Sequence, residues 1–377
     1  MAKPKILLIN CSIRAKATRK EIIEEINFKD EDSMKEHIER ALRAKKVSNS
    51  ERGLMTATFG LKQYPVKLDY IKLADYFLPD GTNKNIGNLI KKIQQADGII
   101  FSTPVYFGAC TSLLEELRGI IKEKEIDLFP KVITFISVGA KRNGGQEATI
   151  IFSAWDWMEL GVIVHNEGYP RSQFGGICVA GSIGHSIEDD SWGVMTCIAL
   201  GKRIAQTALI LKAGDLKEKI RITFWKMEDK SYILPPEWNI SDSEIKYLEL
   251  HKMNFHRCLG CQVCPSTRDE NTDYRCFKKD DDIHKIHNEL VGGEAIVPIG
   301  YDLRFHERTR YLRRDNYRLT YHIVFMPQPK YIPIFIKENS ILCRNHLVEY
   351  AKLIKSGRKK VKTEIQIYEP IGHERIY

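Results

Sequence analysis

Short apolar runs alternate with amphipathic stretches over the first 213 residues, and this alternation constrains the fold more than any other feature. Residues 5–10 and 98–102 are almost entirely apolar, whereas the stretches that follow them are charged. Near-continuous apolar runs are typical of parallel strands that helices cover on both faces. We therefore predict an α/β fold with a doubly wound parallel sheet, with further strands at 66–73, 131–137 and 161–166 and helices at 86–95, 147–160 and 192–213.

The alternation ends near residue 214, and a chain of 377 residues is long enough for two domains. We predict a first domain over 1–215 and a C-terminal α/β module over 216–377. In that module the pattern predicts strands at 294–299, 321–326 and 363–368 and helices at 280–290, 307–317 and 343–355. The polar stretch 30–60 is predicted to be a helical insertion that serves as a lid or an oligomer contact.

The charge balance favours anionic ligands. The chain has 58 basic and 49 acidic residues, which leaves a net charge of +9. Such an excess suits a phosphate-bearing ligand or an acidic redox partner. Because the basic residues are spread out, a nucleic-acid surface is not favoured. The arginine-rich stretch 304–314 fits a solvated helix and a phosphate contact equally well.

The apolar runs are too short for membrane insertion. No window comes close to the ~20 uncharged apolar residues that a membrane helix needs. The apolar run 6–9 near the N-terminus is also shorter than the core of a signal peptide. We therefore expect a cytoplasmic protein that makes no membrane contact.

A polar loop follows the first predicted strand and leads into a helical stretch. Ser12 and Thr18 supply hydroxyl groups in this loop, and Arg14 and Lys16 supply positive charge. Hydroxyls and backbone N–H groups at a helix N-terminus bind phosphate, and ligands of open α/β sheets bind beyond the C-terminal ends of the strands. The loop is therefore a candidate phosphate site, although it lacks the glycines of a Walker motif.

Two further loops follow predicted strands and can surround a flat ring. One has an aromatic pair held by a proline turn, in the order Pro104, Val105, Tyr106, Phe107 and Gly108. The other has adjacent glycines that let the backbone approach a ligand closely. Its candidate ligand-binding residues are Gly139, Asn143, Gly144, Gly145 and Gln146.

Together the three loops resemble the flavodoxin-like NAD(P)H-dependent FMN reductase family, which includes the iron–sulfur flavoproteins. The resemblance covers residues 5–213 and is carried by three motifs: Ser-x-Arg-x-x-x-Thr at 12–18, Ser-Thr-Pro-Val-Tyr-Phe-Gly at 102–108 and Gly-Gly-Gln-Glu at 144–147. It implies a flavodoxin-like fold in which 12–18 holds the phosphate of FMN, while 104–108 and 139–146 flank the isoalloxazine ring. It also implies a homo-oligomer, because flavin sites of this family often lie at subunit interfaces.

The phosphate loop departs from the family pattern. Cys11 and Ile13 replace the glycine and proline that are common there. The Ala-Lys-Ala sequence at 15–17 replaces a middle rich in glycine and asparagine. The other two motifs are intact, so we expect this departure to affect the strength of phosphate binding.

Four of the nine cysteines form a compact motif, C-x2-C-x2-C-x11-C, at Cys258, Cys261, Cys264 and Cys276. Clustering of this kind in a large chain indicates metal binding instead of a disulfide framework. Three thiolates at this spacing can wrap one corner of a cubane, and a fourth completes the ligand set. We predict a [4Fe–4S] cluster here. Zinc, whose sites usually use two separated C-x2-C pairs, is the alternative.

The cysteine module also resembles the iron–sulfur flavoproteins. An acidic turn at 280–282 follows the motif, and the next predicted strand, 293–301, loosely echoes 98–107. The family places its motif after the second strand of the flavodoxin domain, whereas here the motif follows that whole domain and has a longer last spacing. We infer a partial second copy of the fold, which carries the cluster and lacks a phosphate loop.

The resemblance implies a flavin-dependent oxidoreductase. Electrons would pass between NAD(P)H or a protein donor, FMN and the cluster, and on to a small-molecule or protein acceptor. Hydride transfer itself requires no side-chain acid or base, so we assign no catalytic residue. Two alternatives stay open: an electron carrier without small-molecule turnover, and a zinc-stabilised binding protein on a flavodoxin scaffold.

Overall fold

The structure is a computed structural model, and it describes the first half of the chain almost completely and the second half in part. The described residues are 2–23, 36, 47–78, 81–166, 174–181, 186–226, 243–254, 282, 285–286, 295–299, 322–325, 334–337 and 341–364. The predicted metal ligands at 258–276 and the arginine-rich stretch 304–314 lie outside these residues.

Eleven strands and seven helices lie in the described part of the chain. The strands are β1 (Lys5–Asn10), β2 (Lys67–Lys72), β3 (Gly98–Pro104), β4 (Val132–Gly139), β5 (Ile163–His165), β6 (Gly176–Val179), β7 (Arg221–Lys226), β8 (Glu244–Glu249), β9 (Ala295–Ile299), β10 (His322–Phe325) and β11 (Ile334–Lys337). The helices are α1 (Arg19–Ile23), α2 (Asn49–Leu61), α3 (Ile86–Gln95), α4 (Ser112–Glu123), α5 (Gln146–Met158), α6 (Ser191–Ala213) and α7 (Ile341–Glu364).

The first half forms a parallel sheet in the order β2-β1-β3-β4-β5. The fifth position is shared, because β5 pairs with the start of β4 and β6 pairs with its end. This is the flavodoxin-like strand order, in which the direction of winding reverses beside the first strand. The predicted flavodoxin-like doubly wound sheet is therefore confirmed.

Helices cover both faces of this sheet because both faces of its strands are apolar. Along β1, Ile6 and Leu8 contribute to one buried core, whereas Leu7 and Ile9 contribute to the other. Residues of α2, α6 and α7 complete the first core, and residues of α3, α4 and α5 complete the second. Alternate side chains of one strand thus bury against different helix layers.

Helix α2 corrects the expectation of a polar insertion over 30–60. Leu54 and Phe59 on this helix are buried in the core shared with α6. Gly60 and Gly201 let the two helix backbones approach closely, since a Cβ on either would lie about 2 Å from a carbonyl oxygen of the other helix. The 49–61 part of the stretch is therefore a structural helix of the core.

The sheet continues across the predicted boundary at residue 215. Strand β11 pairs antiparallel with β5, and β10 and β9 follow it in antiparallel order. Strand β7 then lies between β9 and β8, parallel to both. The order β8-β7-β9 repeats the order β2-β1-β3. The stretch 255–281, which contains the four predicted metal ligands, follows β8 in the sequence. The partial second copy stays a prediction.

The last helix returns to the first half of the chain. Tyr350 on α7 is buried, and its hydroxyl lies 3.2 Å from the carbonyl oxygens of both Lys131 and Gly161. Helix α7 runs to Glu364. The strand predicted at 363–368 is therefore wrong at its start, and its remaining residues lie outside the described part.

The expectation that no stretch is long and apolar enough to cross a membrane is wrong for helix α6, which passes that test by length and composition alone and is the single described helix of that kind. However, 72% of its most apolar window is buried within the fold. Its apolar residues pack against α2, α7 and the sheet, which is the environment of a core helix.

Candidate functional site

Three loops leave the same edge of the sheet. Strand β1 ends at Asn10, β3 at Pro104 and β4 at Gly139, and these three strands are parallel neighbours. Their carboxyl ends therefore meet at one edge, where open α/β sheets bind ligands. The three predicted binding loops are thus brought together by the strand order.

The first loop is shaped by side chains instead of glycines. The backbone N–H of Ser12 donates to Oδ1 of Asn10 at 2.7 Å, and the N–H of Arg14 donates to Oγ of Ser12 at 3.2 Å. Ser12 is buried, whereas Arg14, Lys16 and Thr18 are exposed. Ser12 therefore organises the turn, and the two basic side chains remain available at the surface.

The second half of this loop is held by two carboxylates. The N–H of Ala17 donates to Oε1 of Glu51 at 2.8 Å, and the N–H of Thr18 donates to Oε2 of Glu21 at 2.6 Å. Thr18 precedes α1, so its contact with Glu21 is a helix-capping interaction. Loop 12–18 is therefore ordered through contacts that the loop motif alone does not contain.

The second loop contains a tight turn that presents aromatic side chains. Tyr106 and Ala109 exchange two backbone hydrogen bonds of 3.0 Å, and the two central residues, Phe107 and Gly108, have φ of 53° and 80°. Two positive φ values are the signature of a type I′ turn. A bulky side chain in this region costs about 1–3 kcal/mol, yet Phe107 is fully exposed. Burial therefore does not stabilise the strained conformation of Phe107.

The third loop is organised by the buried amide of Gln146. Its Nε2 donates to the carbonyl oxygens of Lys141 (2.8 Å) and Cys178 (3.2 Å), and its Oε1 accepts from the N–H of Gly144 at 2.8 Å. Gly139 makes room for this amide, because a Cβ there would lie 2.6 Å from Cδ of Gln146. Gln146 is fully buried, so its side chain positions the loop.

The loops contact one another. A Cβ on Gly145, whose φ is +99°, would lie 3.0 Å from Cα of Gly108 and 3.3 Å from Cγ1 of Val105. The hydroxyl of Thr111, just after the second loop, donates to the carbonyl oxygen of Cys11 at 2.9 Å. These contacts join the candidate ring-binding loops to each other and to the start of the candidate phosphate loop. Asn143, with φ of 56°, lies exposed at the tip of the third loop.

Sequence reasoning missed two residues that support these loops. Asp190 caps α6 and accepts from the N–H of Val179 at 2.6 Å, while Arg142 of the third loop pairs with its carboxylate. Glu51 forms a capping box with Ser48 at the start of α2. The Ser-x-x-Glu spacing was a visible signal for the second, whereas the Arg142–Asp190 pair joins distant parts of the sequence.

The thiols near the loops are not activated. Burial raises the pKa of Cys11 well above its ordinary value. At Cys110, burial and then the hydrogen bond to Glu115 raise the pKa to about 12. Thiolates are the reactive form of cysteine, so neither side chain is a nucleophile at neutral pH. Among the residues that the structure describes, no group of three His, Cys, Asp or Glu side chains could hold a metal ion.

The sequence of this chain is similar to the sequences of known flavoproteins. The family described as NADPH-dependent FMN reductase matches residues 4–171. An iron–sulfur flavoprotein of Methanocaldococcus jannaschii is 35% identical over 130 residues, which are 34% of this chain and 67% of that protein. An iron–sulfur flavoprotein of Methanosarcina thermophila is 33% identical over 132 residues, 34% of this chain and 64% of that protein.

Similarity to solved structures extends over slightly more than half of the chain. A WrbA-like flavodoxin of Agrobacterium tumefaciens shares 14% identity at a TM-score of 0.34, covering 55% of this chain and 98% of its own. An NAD(P)H:quinone oxidoreductase of Methanothermobacter marburgensis shares 11% identity at a TM-score of 0.32, covering 55% of this chain and 96% of its own. The motifs, the strand order and the sequence relatives agree, and two of those relatives are iron–sulfur flavoproteins. The chain belongs to the NADPH-dependent FMN reductase family and is an FMN-dependent flavoprotein of the oxidoreductase class.

Proposed function

We propose that this chain passes electrons between NAD(P)H or a protein donor, FMN and a [4Fe–4S] cluster, and delivers them to a small-molecule or protein acceptor in the cytoplasm. The observation that carries the proposal is the convergence of three loops at the carboxyl edge of β1, β3 and β4. Gly145 approaches Gly108 closely there, because a Cβ on Gly145 would lie 3.0 Å from the Cα of Gly108.

The loops have the chemistry that FMN needs. Backbone is accessible at the exposed Gly144 and at the turn around Gly108, as required for hydrogen bonds to the rim of a flat ring. Arg14 and Lys16 are exposed on the first loop, where they supply positive charge for a phosphate. FMN, when bound, supplies both one- and two-electron chemistry, and the chain's residues position it and set its electrostatics.

The four cysteines of the C-x2-C-x2-C-x11-C motif are the proposed cluster ligands: Cys258, Cys261, Cys264 and Cys276. Two relatives of this chain are named iron–sulfur flavoproteins, which supports iron over zinc. The position of the motif after β8, the second strand of the β8-β7-β9 unit, supports the same assignment.

The first experiment is the visible spectrum of protein purified anaerobically, with analysis of iron, sulfide and zinc. We expect resolved flavin bands and a broad shoulder from the cluster. The Cys261→Ser substitution should remove the shoulder and leave the flavin bands unchanged. Cys343→Ser, outside the motif, is the matched control and should change neither. Colourless protein loaded with zinc would overturn the cluster and favour the zinc-stabilised alternative.

A second experiment separates an enzyme from an electron carrier. NADH or NADPH is added with a soluble electron acceptor, and oxidation is followed in the steady state. Sustained turnover supports the oxidoreductase that we propose. A protein that is reduced once and does not turn over with either nucleotide would be an electron carrier. Sedimentation of the same preparation tests the expected homo-oligomer.

A further inference from the structure

Two thiols that the proposed function does not use face each other behind the third loop. The Sγ atoms of Cys178, on β6, and Cys197, on α6, lie 3.3 Å apart, and both side chains are fully buried. Neither cysteine is in a disulfide. The two residues are 19 positions apart in the sequence, so their contact follows from the packing of α6 on β6, which we call the β6–α6 junction.

Hydrogen bonds on either side of the pair hold the two backbones in place. The N–H of Ile177 donates to Oγ1 of Thr196 at 3.0 Å, and these two residues directly precede the two cysteines. The N–H of Val179 donates to Oδ2 of Asp190 at 2.6 Å. The thiols therefore face each other because the residues beside them are fixed, and their meeting needs no rearrangement of the fold.

Glycines leave room for the sulfur of Cys197. A Cβ on Gly176 would lie 2.9 Å from this Sγ atom, and a Cβ on Gly53 would lie 4.0 Å from it. The sulfurs of a disulfide lie about 2.05 Å apart, so this pair must approach by about 1.2 Å to form one. We expect rotation about the Cα–Cβ bonds of the two cysteines to supply this movement.

We propose that Cys178 and Cys197 are an oxidisable dithiol, which two-electron oxidants of the peroxide class convert into a disulfide between β6 and α6. One sulfur attacks hydrogen peroxide, which forms an S–O bond, breaks the O–O bond and releases one water. The second sulfur attacks this sulfenic acid, which forms the S–S bond, breaks the S–O bond and releases another water. Two thiols and one peroxide thus give one disulfide and two waters. The inference goes beyond the proposed function and does not depend on FMN.

The reaction is slow at neutral pH. The hydrogen bond with Cys178, and then burial, raise the pKa of Cys197, and the thiolate is the nucleophilic form of cysteine. Because both side chains are buried, peroxide reaches them only when the β6–α6 junction opens locally. The pair therefore responds to sustained oxidation and is not suited to rapid turnover.

The disulfide strengthens the support of the third loop. The carbonyl oxygen of Cys178 accepts from Nε2 of Gln146 at 3.2 Å, and Asp190, which caps α6, pairs with Arg142. Both contacts connect the third loop to the β6–α6 junction. A covalent bond across the junction links positions that are 19 residues apart and removes conformations from the unfolded chain. The oxidised protein is therefore the more stable form.

The test compares the full-length protein before and after prolonged exposure to hydrogen peroxide. Trypsin cleaves after lysine and arginine, so residues 172–202 form one peptide that contains these two cysteines and no other. In the reduced, denatured protein this peptide takes up two alkyl groups. After oxidation we expect it to take up none and to be lighter by two hydrogens, with both alkylation sites restored by dithiothreitol. Chymotryptic cleavage after Trp192, between the cysteines, should leave the two halves joined.

Thermal unfolding gives a second measurement. We expect oxidation to raise the Tm of the wild type by about 5–10 °C relative to Cys178→Ser treated in the same way, so that oxidation elsewhere in the chain cancels. Cys197→Ser should behave like Cys178→Ser. Cys110→Ser is the matched control, because the Cys110 thiol is partly buried and hydrogen-bonds to Glu115, away from the pair. It should retain both the disulfide and the rise in Tm.

Joint loss of both alkylation sites, with a peptide lighter by two hydrogens, supports the inference. Retention of both sites after peroxide treatment overturns it. Oxidation of one cysteine alone to a sulfinic acid, or a disulfide that joins 172–202 to another peptide, also overturns it. A disulfide that leaves the Tm unchanged supports the site and overturns its stabilising role. Because none of these results depends on FMN binding, the proposed function is tested separately.

Discussion

Asn254 and Asp282 clasp the two ends of the stretch that contains the four predicted cluster ligands. The backbone N–H of Asn254 donates to Oδ2 of Asp282 at 3.0 Å, and the N–H of Asp282 donates to the carbonyl oxygen of Asn254 at 2.8 Å. The sequence between them holds Cys258, Cys261, Cys264 and Cys276. Two hydrogen bonds, which we call the clasp, therefore hold the two ends of this stretch together.

This clasp predicts an effect on metal retention. Asp282→Ala removes the side-chain acceptor and should weaken the contact between the two ends of the stretch by about 1 kcal/mol. This corresponds to about fivefold faster loss of iron to a chelator. The measurement is iron release from anaerobically purified protein. Asn254→Ala is the matched control, because Asn254 uses only its backbone in the clasp. Equal release rates for all three proteins would contradict the prediction.

Gly145 should tolerate no side chain. At φ of +99° and 3.0 Å from Cα of Gly108, an added Cβ is strained and crowded. We expect Gly145→Ala to lower the free energy of unfolding by about 1–2 kcal/mol and to weaken FMN binding at least about tenfold. Urea unfolding and flavin titration measure the two effects. Gly119→Ala, at an open position within α4, should instead be neutral or stabilising by up to about 1 kcal/mol.

The buried side-chain amide of Gln146 should be essential to the conformation of the third loop. Gln146→Leu preserves the approximate volume of the side chain but leaves the N–H of Gly144 and two carbonyl groups without their hydrogen bonds. We expect a loss of about 2–4 kcal/mol in the free energy of unfolding, with weaker FMN binding. Gln94→Leu, on the exposed side of α3, should change stability by less than about 0.5 kcal/mol. Similar losses in both variants would show that the amide contacts are unimportant.

His165 predicts a specific dependence of stability on pH. Burial, and then the nearby charge of Arg203, lowers the pKa of His165 to about 3 from an ordinary value of 6.5. The folded protein therefore keeps His165 neutral while the unfolded chain binds a proton. Its contribution to stability is complete above pH 6.5 and is lost as the pH falls from there towards 3. The expected slope is about 1.4 kcal/mol per pH unit.

The measurement for His165 is the free energy of unfolding between pH 7 and 4 for the wild type and for His165→Asn. Asparagine retains a donor near Nδ1, which lies 2.9 Å from the carbonyl oxygen of Asn166. The variant should show a shallower slope than the wild type. If the two proteins lose stability in parallel, His165 does not control the transition.

Much of the first half was predictable from local pattern. The predicted bounds of strand β1 and of helix α3 are the observed ones. Both predictions rest on the period of apolar residues, which depends only on neighbouring positions. The candidate loops were also predictable, since they follow strands and carry recognisable residues. Strands β7 and β8 were missed because β8 is an exposed edge strand and neither has a distinctive apolar period.

The supporting contacts of the site were less predictable. Gln146 was proposed as a ligand contact, and its role in positioning the loop follows from burial that the motif does not encode. The polar stretch around α2 was misread because its buried polar residues are satisfied inside the fold, as Glu51 is by Ala17 and Tyr70. Hydrogen bonds between distant parts of a chain leave no local pattern in its sequence.

The sequence by itself determined the class of fold, the three loops and the cysteine motif, because apolar period, turn residues and ligand spacing are local properties. Only the tertiary structure decided that β8-β7-β9 repeats β2-β1-β3 within one sheet, and that Asn254 meets Asp282. It alone showed that Glu21 accepts hydrogen bonds from the N–H and the hydroxyl of Thr18, at the end of the candidate phosphate loop. That contact depends on where α1 begins and how its first turn is capped, which the loop motif leaves open.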